Sequence, residues 1–135
     1  MNILVIDAQG GGIGKQVVSA LKKAYHTCSV TAVGTNSIAT SAMLKAGADA
    51  AATGENAVIV CCRKADIIIG PIGIAIADAL LGEITPAMAT AVGQSPARRI
   101  FIPVNHCDNV VAGVAELSMS QLIDSVIKEV GRDIR

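Results

Sequence analysis

The stretch that most constrains this chain is Asp7 to Lys15, reading D-A-Q-G-G-G-I-G-K, which follows the apolar run Ile3-Leu4-Val5-Ile6 and opens onto a helical pattern. Glycine at this handover gives the backbone access to left-handed conformations and leaves N–H groups uncovered by any Cβ. The positive end of the following helix dipole adds to them, so the turn suits a phosphate. A first strand that passes through such a turn into a helix commits the chain to βα units.

The remaining sequence keeps that alternation. Val17, Val18, Leu21 and Ala24 recur at helical spacing and predict a helix from about Ile13 to Tyr25. Cys28 to Val33 reads as a second strand ending at Gly34-Thr35-Asn36, and Ser37 to Lys45 as a helix stopped by Gly47. Ala48 to Ala52 is an alanine-rich edge strand, and Thr53-Gly54-Glu55-Asn56 a turn leading into Ala57 to Lys64. That last segment scores equally as strand on propensity, and is assigned to helix because a crossover is needed there. Asp66 to Gly70 is continuously apolar after its first residue, as a central parallel strand buried on both faces requires, and Pro71-Ile72-Gly73 ends it. An apolar helix from about Ile74 to Leu81 and a loop at Gly82-Glu83-Ile84 come next. Thr85-Pro86 then has the N-cap and N1 signature of a helix over Ala87 to Val92. A strand over Arg99 to Val104, a loop at Asn105 to Asp108, a short strand at Val110-Val111 and a helix from about Ser120 to Val130 complete the pattern. The expected fold class is α/β, a three-layer Rossmann-like open parallel sheet of about five strands with helices on both faces, in one domain spanning 1–135.

Composition narrows the partners. Hydrophobic residues make up 52% and charged ones 16%, below the ~25% charged of an ordinary soluble domain, so a homo-oligomer with buried interfaces is expected. Lys plus Arg equals Asp plus Glu at 11 each, and the aromatics are Tyr25 and Phe101. This leaves no electrostatic attraction for nucleic acid and no stacking platform for its bases. The longest apolar stretch, Ile67 to Ala77, is broken by Gly70, Pro71 and Gly73 and falls short of the ~20 residues that span a bilayer, so no membrane partner is expected. A start directly on a strand, with no basic leader, gives a cytoplasmic expectation. Cys28, Cys61, Cys62 and Cys107 show no C-x-x-C spacing and read as reduced thiols in the core, with no metal site.

In an open α/β sheet, ligands bind outside the carboxyl ends of the strands where strand order reverses. That rule selects Asp7, Gln9, Gly10, Gly11, Gly12, Ile13 and Gly14 from the first loop, Thr35 and Asn36 from the second, and Gly70, Pro71 and Gly73 from the fourth as cofactor-binding residues. A dinucleotide fingerprint G-x-G-x-x-G ending at Gly14 would have Gln9 where its first glycine belongs. Gly12-Ile13-Gly14 instead matches the end of the glycine turn of short-chain dehydrogenases, whose Tyr-x-x-x-Lys pair is absent here. A P-loop is opposed by Gln16, which stands where that motif places a magnesium-binding hydroxyl. The expected ligand is a nucleotide or other phosphate-bearing small molecule, with NAD or NADP as cofactor, in an oxidoreductase or a nucleotide sensor. Alternatives are a small transferase, lyase or isomerase acting on a phosphorylated metabolite through Glu55, Glu83 or His106, or a non-catalytic regulatory or structural subunit. Bland roles compete for several of these residues: Thr35 as a helix cap, Glu83 as a partner of a helix dipole, Asp7 as an acceptor of backbone N–H bonds within the glycine loop.

The segments D-A-Q-G-G-G-I-G-K-Q, G-T-N-S-I-A-T-S-A-M-L-K-A-G-A, T-G-E-N-A, D-I-I-I-G-P-I-G-I and L-G-E-I-T-P-A-M, in this order, resemble a family of short bacterial Rossmann-like proteins known as a domain of unknown function (DUF3842). The resemblance runs from Met1 to the final helix. It implies a standalone bacterial domain of this length, and brings no activity, substrate or catalytic residue with it.

Overall fold

A computed structural model describes residues 1–104 and 109–134. The elements in chain order are β1 (Asn2–Asp7), α1 (Gly12–Ala24), β2 (Ser29–Gly34), α2 (Ser37–Lys45), β3 (Ala50–Thr53), α3 (Glu55–Lys64), β4 (Ile67–Pro71), a 3-10 turn (Ile72–Ala75), α4 (Pro86–Gln94), β5 (Arg98–Ile102) and α5 (Met119–Asp133). The strands form a parallel sheet in the order β3-β2-β1-β4-β5. β1 and β4 lie inside it, which is why Ile3-Leu4-Val5-Ile6 and Ile67-Ile68-Ile69 are apolar without alternation: both faces of these strands are covered.

The alternation of side chains along each strand divides the core in two. Ile3, Val5, Ile67 and Ile69 point to one face, where Val17, Val18 and Leu21 of α1, Met43 of α2, and Ile123, Val126 and Val130 of α5 meet them. Leu4, Ile6 and Ile68 point to the other, against Val58 and Cys62 of α3 and Met88 and Val92 of α4. Three of these helices start on a side-chain cap. Asn36 caps α2 by accepting the Ala39 N–H, Thr85 caps α4 by accepting that of Met88, and Ser118 and Gln121 form a reciprocal capping box on α5. Arg98, on β5, pairs with Glu129 and Asp133 of α5 and fixes the last helix across the sheet edge.

Two expected elements differ. Residues 74–81 are not a helix: after the 3-10 turn the backbone takes left-handed conformations at Asp78, Leu80 and Leu81. The apolar character that suggested a helix serves burial, since Ile74, Leu80 and Ile84 pack into the second core. Val110-Val111 is not a strand, and the segment is exposed. The expected loop at Asn105 to Asp108, with His106 and Cys107, lies outside the described residues. Cys28 and Cys62 are buried free thiols, and burial, with neighbouring Cys61 adding to it, pushes the Cys62 thiol up to about 11. Among the described residues no helix is long and apolar enough to cross a membrane.

Candidate functional site

The sheet order reverses at β1: its successor β2 lies on one side and β4 on the other. The carboxyl ends of β1 and β4 therefore flank the crevice in which folds of this kind bind ligands. The loop entering it is Ala8 to Gly11. Gln9 and Gly11 both take left-handed conformations there, at φ 53° and 71°.

Asp7, the last residue of β1, holds this loop from beneath. One carboxylate oxygen accepts the Ala8 N–H at 2.8 Å and the other the Gly14 N–H at 2.6 Å. The side chain is buried, and burial raises its pKa above the ordinary 3.8. The N–H groups of Gly14, Ala8 and Ile13 oppose that shift in part, and the charge of Glu83 adds to it. The N-terminal amides of α1 that would greet a phosphate are thus partly taken by the protein's own carboxylate.

The glycines of the loop separate into two kinds. A Cβ on Gly14 would stand 2.5 Å from Met43 Sδ and 2.9 Å from Asp7 Cβ, and one on Gly11 would stand 2.9 Å from the Ala39 backbone. Helix α1 packs so closely on β1 and α2 that these positions have no room for a side chain. Gly70 is similar, its Cβ position lying 2.5 Å from the Ile6 carbonyl oxygen. Gly10 and Gly12 are different: a Cβ on either meets nothing within 4 Å, neither has a positive φ, and both are exposed. Among the described residues, no hydrogen bond uses their N–H groups.

The second loop is tied to a distant residue. Glu83 Oε1 accepts the Thr35 hydroxyl at 2.7 Å, Asn36 Nδ2 at 2.8 Å and the Gln9 N–H at 3.0 Å, while Asn36 also donates to the Gln9 carbonyl at 2.9 Å. Burial pushes the Glu83 pKa up, but the hydrogen bonds from Thr35, Gln9 and Asn36 together outweigh it and leave the carboxyl below its usual range. Leu80 enters the crevice between the first loop and Pro71. What remains is a cavity of about 160 Å³ lined by Asp7 to Ile13, Pro71 and Leu80, well under the ~300 Å³ of the smallest ordinary ligand sites.

The structure thus brings together Asp7, Gln9, the glycine loop, Thr35, Asn36 and Pro71, with Glu83 among them. Gly70 packs between strands and Gly73 lies in the 3-10 turn against Leu80. Glu55 is the exposed first residue of α3, at the end of β3. Sequence reasoning missed Leu80, which it placed inside an expected helix; a glycine at 82 is equally the stop signal of such a helix and gave no warning.

Strand order, parallel register and a glycine turn at the switch point define an α/β protein of the Rossmann type. The sequence matches the family described as Domain of unknown function (DUF3842) over residues 2–135, and the chain belongs to that family. No curated protein matches it. A solved structure that is similar to it is that of a dodecameric FMN-dependent Ubix-like decarboxylase from Escherichia coli O157:H7, with 16% identity, 97% of this chain and 76% of that chain covered, and a TM-score of 0.48. The expectation of NAD or NADP is corrected: the similar structure is of an FMN-dependent protein. In this chain, moreover, Thr35 and Asn36, the groups expected to hold the ribose, are engaged by Glu83.

Proposed function

We propose that the protein binds a phosphate-bearing small molecule at the carboxyl ends of β1 and β4, with a phosphate on the N–H groups of Gly10 and Gly12. The observation that carries this reading is that these two positions are glycine although packing would admit a Cβ at both. A bare backbone that the fold does not require, at a switch point and at the start of α1, is what close approach of a phosphate needs.

The test is thermal unfolding of the wild type and of Gly12→Val with FMN, AMP, coenzyme A and inorganic pyrophosphate as probes. A probe at about a hundred times its Kd stabilises the wild type by about 2.7 kcal/mol and raises the midpoint accordingly. Gly12→Val, folded and close to the wild type in stability, loses that rise. If none of the probes moves the wild-type midpoint, or the variant responds as strongly as the wild type, the reading is wrong.

The same protein is inferred to associate with copies of itself. Ile38 is 70% exposed and Val110 77%, with Val111, Val114 and Leu117 also uncovered along 109–117, and apolar side chains clustered in one exposed segment suit a contact with another protein surface. Light scattering should give a mass that is a multiple of the 13.7 kDa chain. A mass of one chain contradicts the inference.

A further inference from the structure

Residues 76–84 run across the crevice between β1 and β4 as a compact closed loop. Its ends are joined by the Asp78 N–H donating to the Ile84 carbonyl at 2.7 Å and the Ile84 N–H donating to the Ala79 carbonyl at 3.2 Å. Within it Asp78, Leu80 and Leu81 stand at φ 65°, 57° and 58°. L residues hold such conformations where surrounding contacts impose them, and runs of them gather at sites that switch. Two contacts hold this loop in place. Leu80, 7% exposed, fills the crevice above the glycine loop, and Glu83 ties the far side of the loop to the ends of β1 and β2.

The Glu83 contact is unusual in its geometry. Donors from two separate loops, the Gln9 N–H, the Thr35 hydroxyl and the Asn36 amide, converge on a single oxygen, Oε1. Convergent donors of this kind make an anion site, and the protein fills it with a carboxylate from the segment that also blocks the crevice. With Leu80 seated, the space beside the glycine loop is about 160 Å³, small for an ordinary ligand site.

We propose that residues 76–84 are a lid latched by Glu83, and that the phosphate seated on the Gly10 and Gly12 N–H groups also takes the adjoining Gln9, Thr35 and Asn36 donors from the Glu83 carboxylate as the lid opens. The proposal rests on the phosphate-binding reading above and adds how entry is controlled. Ligand and Glu83 compete for the same donors, so the closed form is self-inhibited and loss of the latch favours binding. Leu80 leaves the crevice together with Glu83 because the loop between them is closed by its own backbone bonds.

The experiment measures two quantities on wild type, Glu83→Ala and Glu83→Gln: hydrogen exchange at the amides of residues 78–84, and the affinity for pyrophosphate and AMP by calorimetry. Both variants should exchange these amides about tenfold faster or more, and bind the probes about tenfold more tightly, the effect of losing one charge-assisted hydrogen bond. Glu83→Gln keeps the shape of the side chain and so separates loss of the charge from local collapse. Unchanged exchange in both variants overturns the lid, whatever the probes do. Faster exchange with wild-type affinity for a probe that does bind overturns the competition between ligand and latch. Absence of binding in wild type and both variants refutes the phosphate-binding reading and with it the ligand half of the proposal, while the exchange result still decides whether Glu83 latches the loop.

Discussion

Asp7→Ala is expected to lower the unfolding free energy by about 3 kcal/mol in a urea titration. The substitution leaves the buried N–H groups of Ala8 and Gly14 without an acceptor, at about 1–3 kcal/mol each. It also removes the negative charge from the positive end of α1. Comparison with Asp7→Asn exposes the proton linkage. Burial raises the folded-state pKa of Asp7 above 3.8, so the folded protein holds this proton to a higher pH than the unfolded chain does. The stability from this group is therefore complete below the unfolded value and is lost as pH rises through the folded one. Relative to Asp7→Asn, the wild type should be most stable in acid and lose that advantage with rising pH. The opposite slope would mean that the amide bonds outweigh desolvation.

Gly70→Val should be comparably damaging, about 3 kcal/mol by the same measurement. A Cβ at this position lies 2.5 Å from the Ile6 carbonyl oxygen and 2.8 Å from Ile74 Cδ1. The first of these is backbone in the neighbouring strand and cannot turn aside, so β1 and β4 must separate at the point where the crevice begins. Gly12→Val, a few residues beyond β1, meets nothing and should cost less than about 1 kcal/mol. A loss at Gly12 as large as at Gly70 would remove the distinction on which the phosphate reading stands.

That distinction was not legible in the sequence, where Gly10, Gly11, Gly12 and Gly14 are the same letter. It depends on how near Ala39 and Met43 of α2 come to the loop, and periodicity does not report that. The sheet was far more legible. Continuous apolar runs at 3–6 and 67–69 are what strands covered on both faces require, and α2 begins and ends as expected because Asn36 caps it and Gly47 stops it. The segment from Ile74 to Leu81 misled because apolarity tells that residues are buried, not what backbone buries them. The link from Glu83 to Thr35 and Asn36 joins residues 48 and 47 positions apart, and no local pattern encodes such a pair. Asp7 as an internal acceptor of loop N–H bonds was one of the roles its position suggested.

The central place of β1 has a consequence for how the chain acquires its shape. Ile3 faces Val30 on one side and Ile67 on the other. As the ribosome releases the chain from its amino end, β1 is made first, gains one neighbour when β2 emerges, and keeps an open edge until β4 has been synthesised. Closing that long loop is an entropic cost met before the pairing repays it, so β1 is expected to join β4 more slowly than it joins β2. Throughout that interval Leu4 and Ile6 lack the cover of Ile68, Met88 and Val92, which makes the half-made sheet the stage at which this protein most needs protection from its own kind.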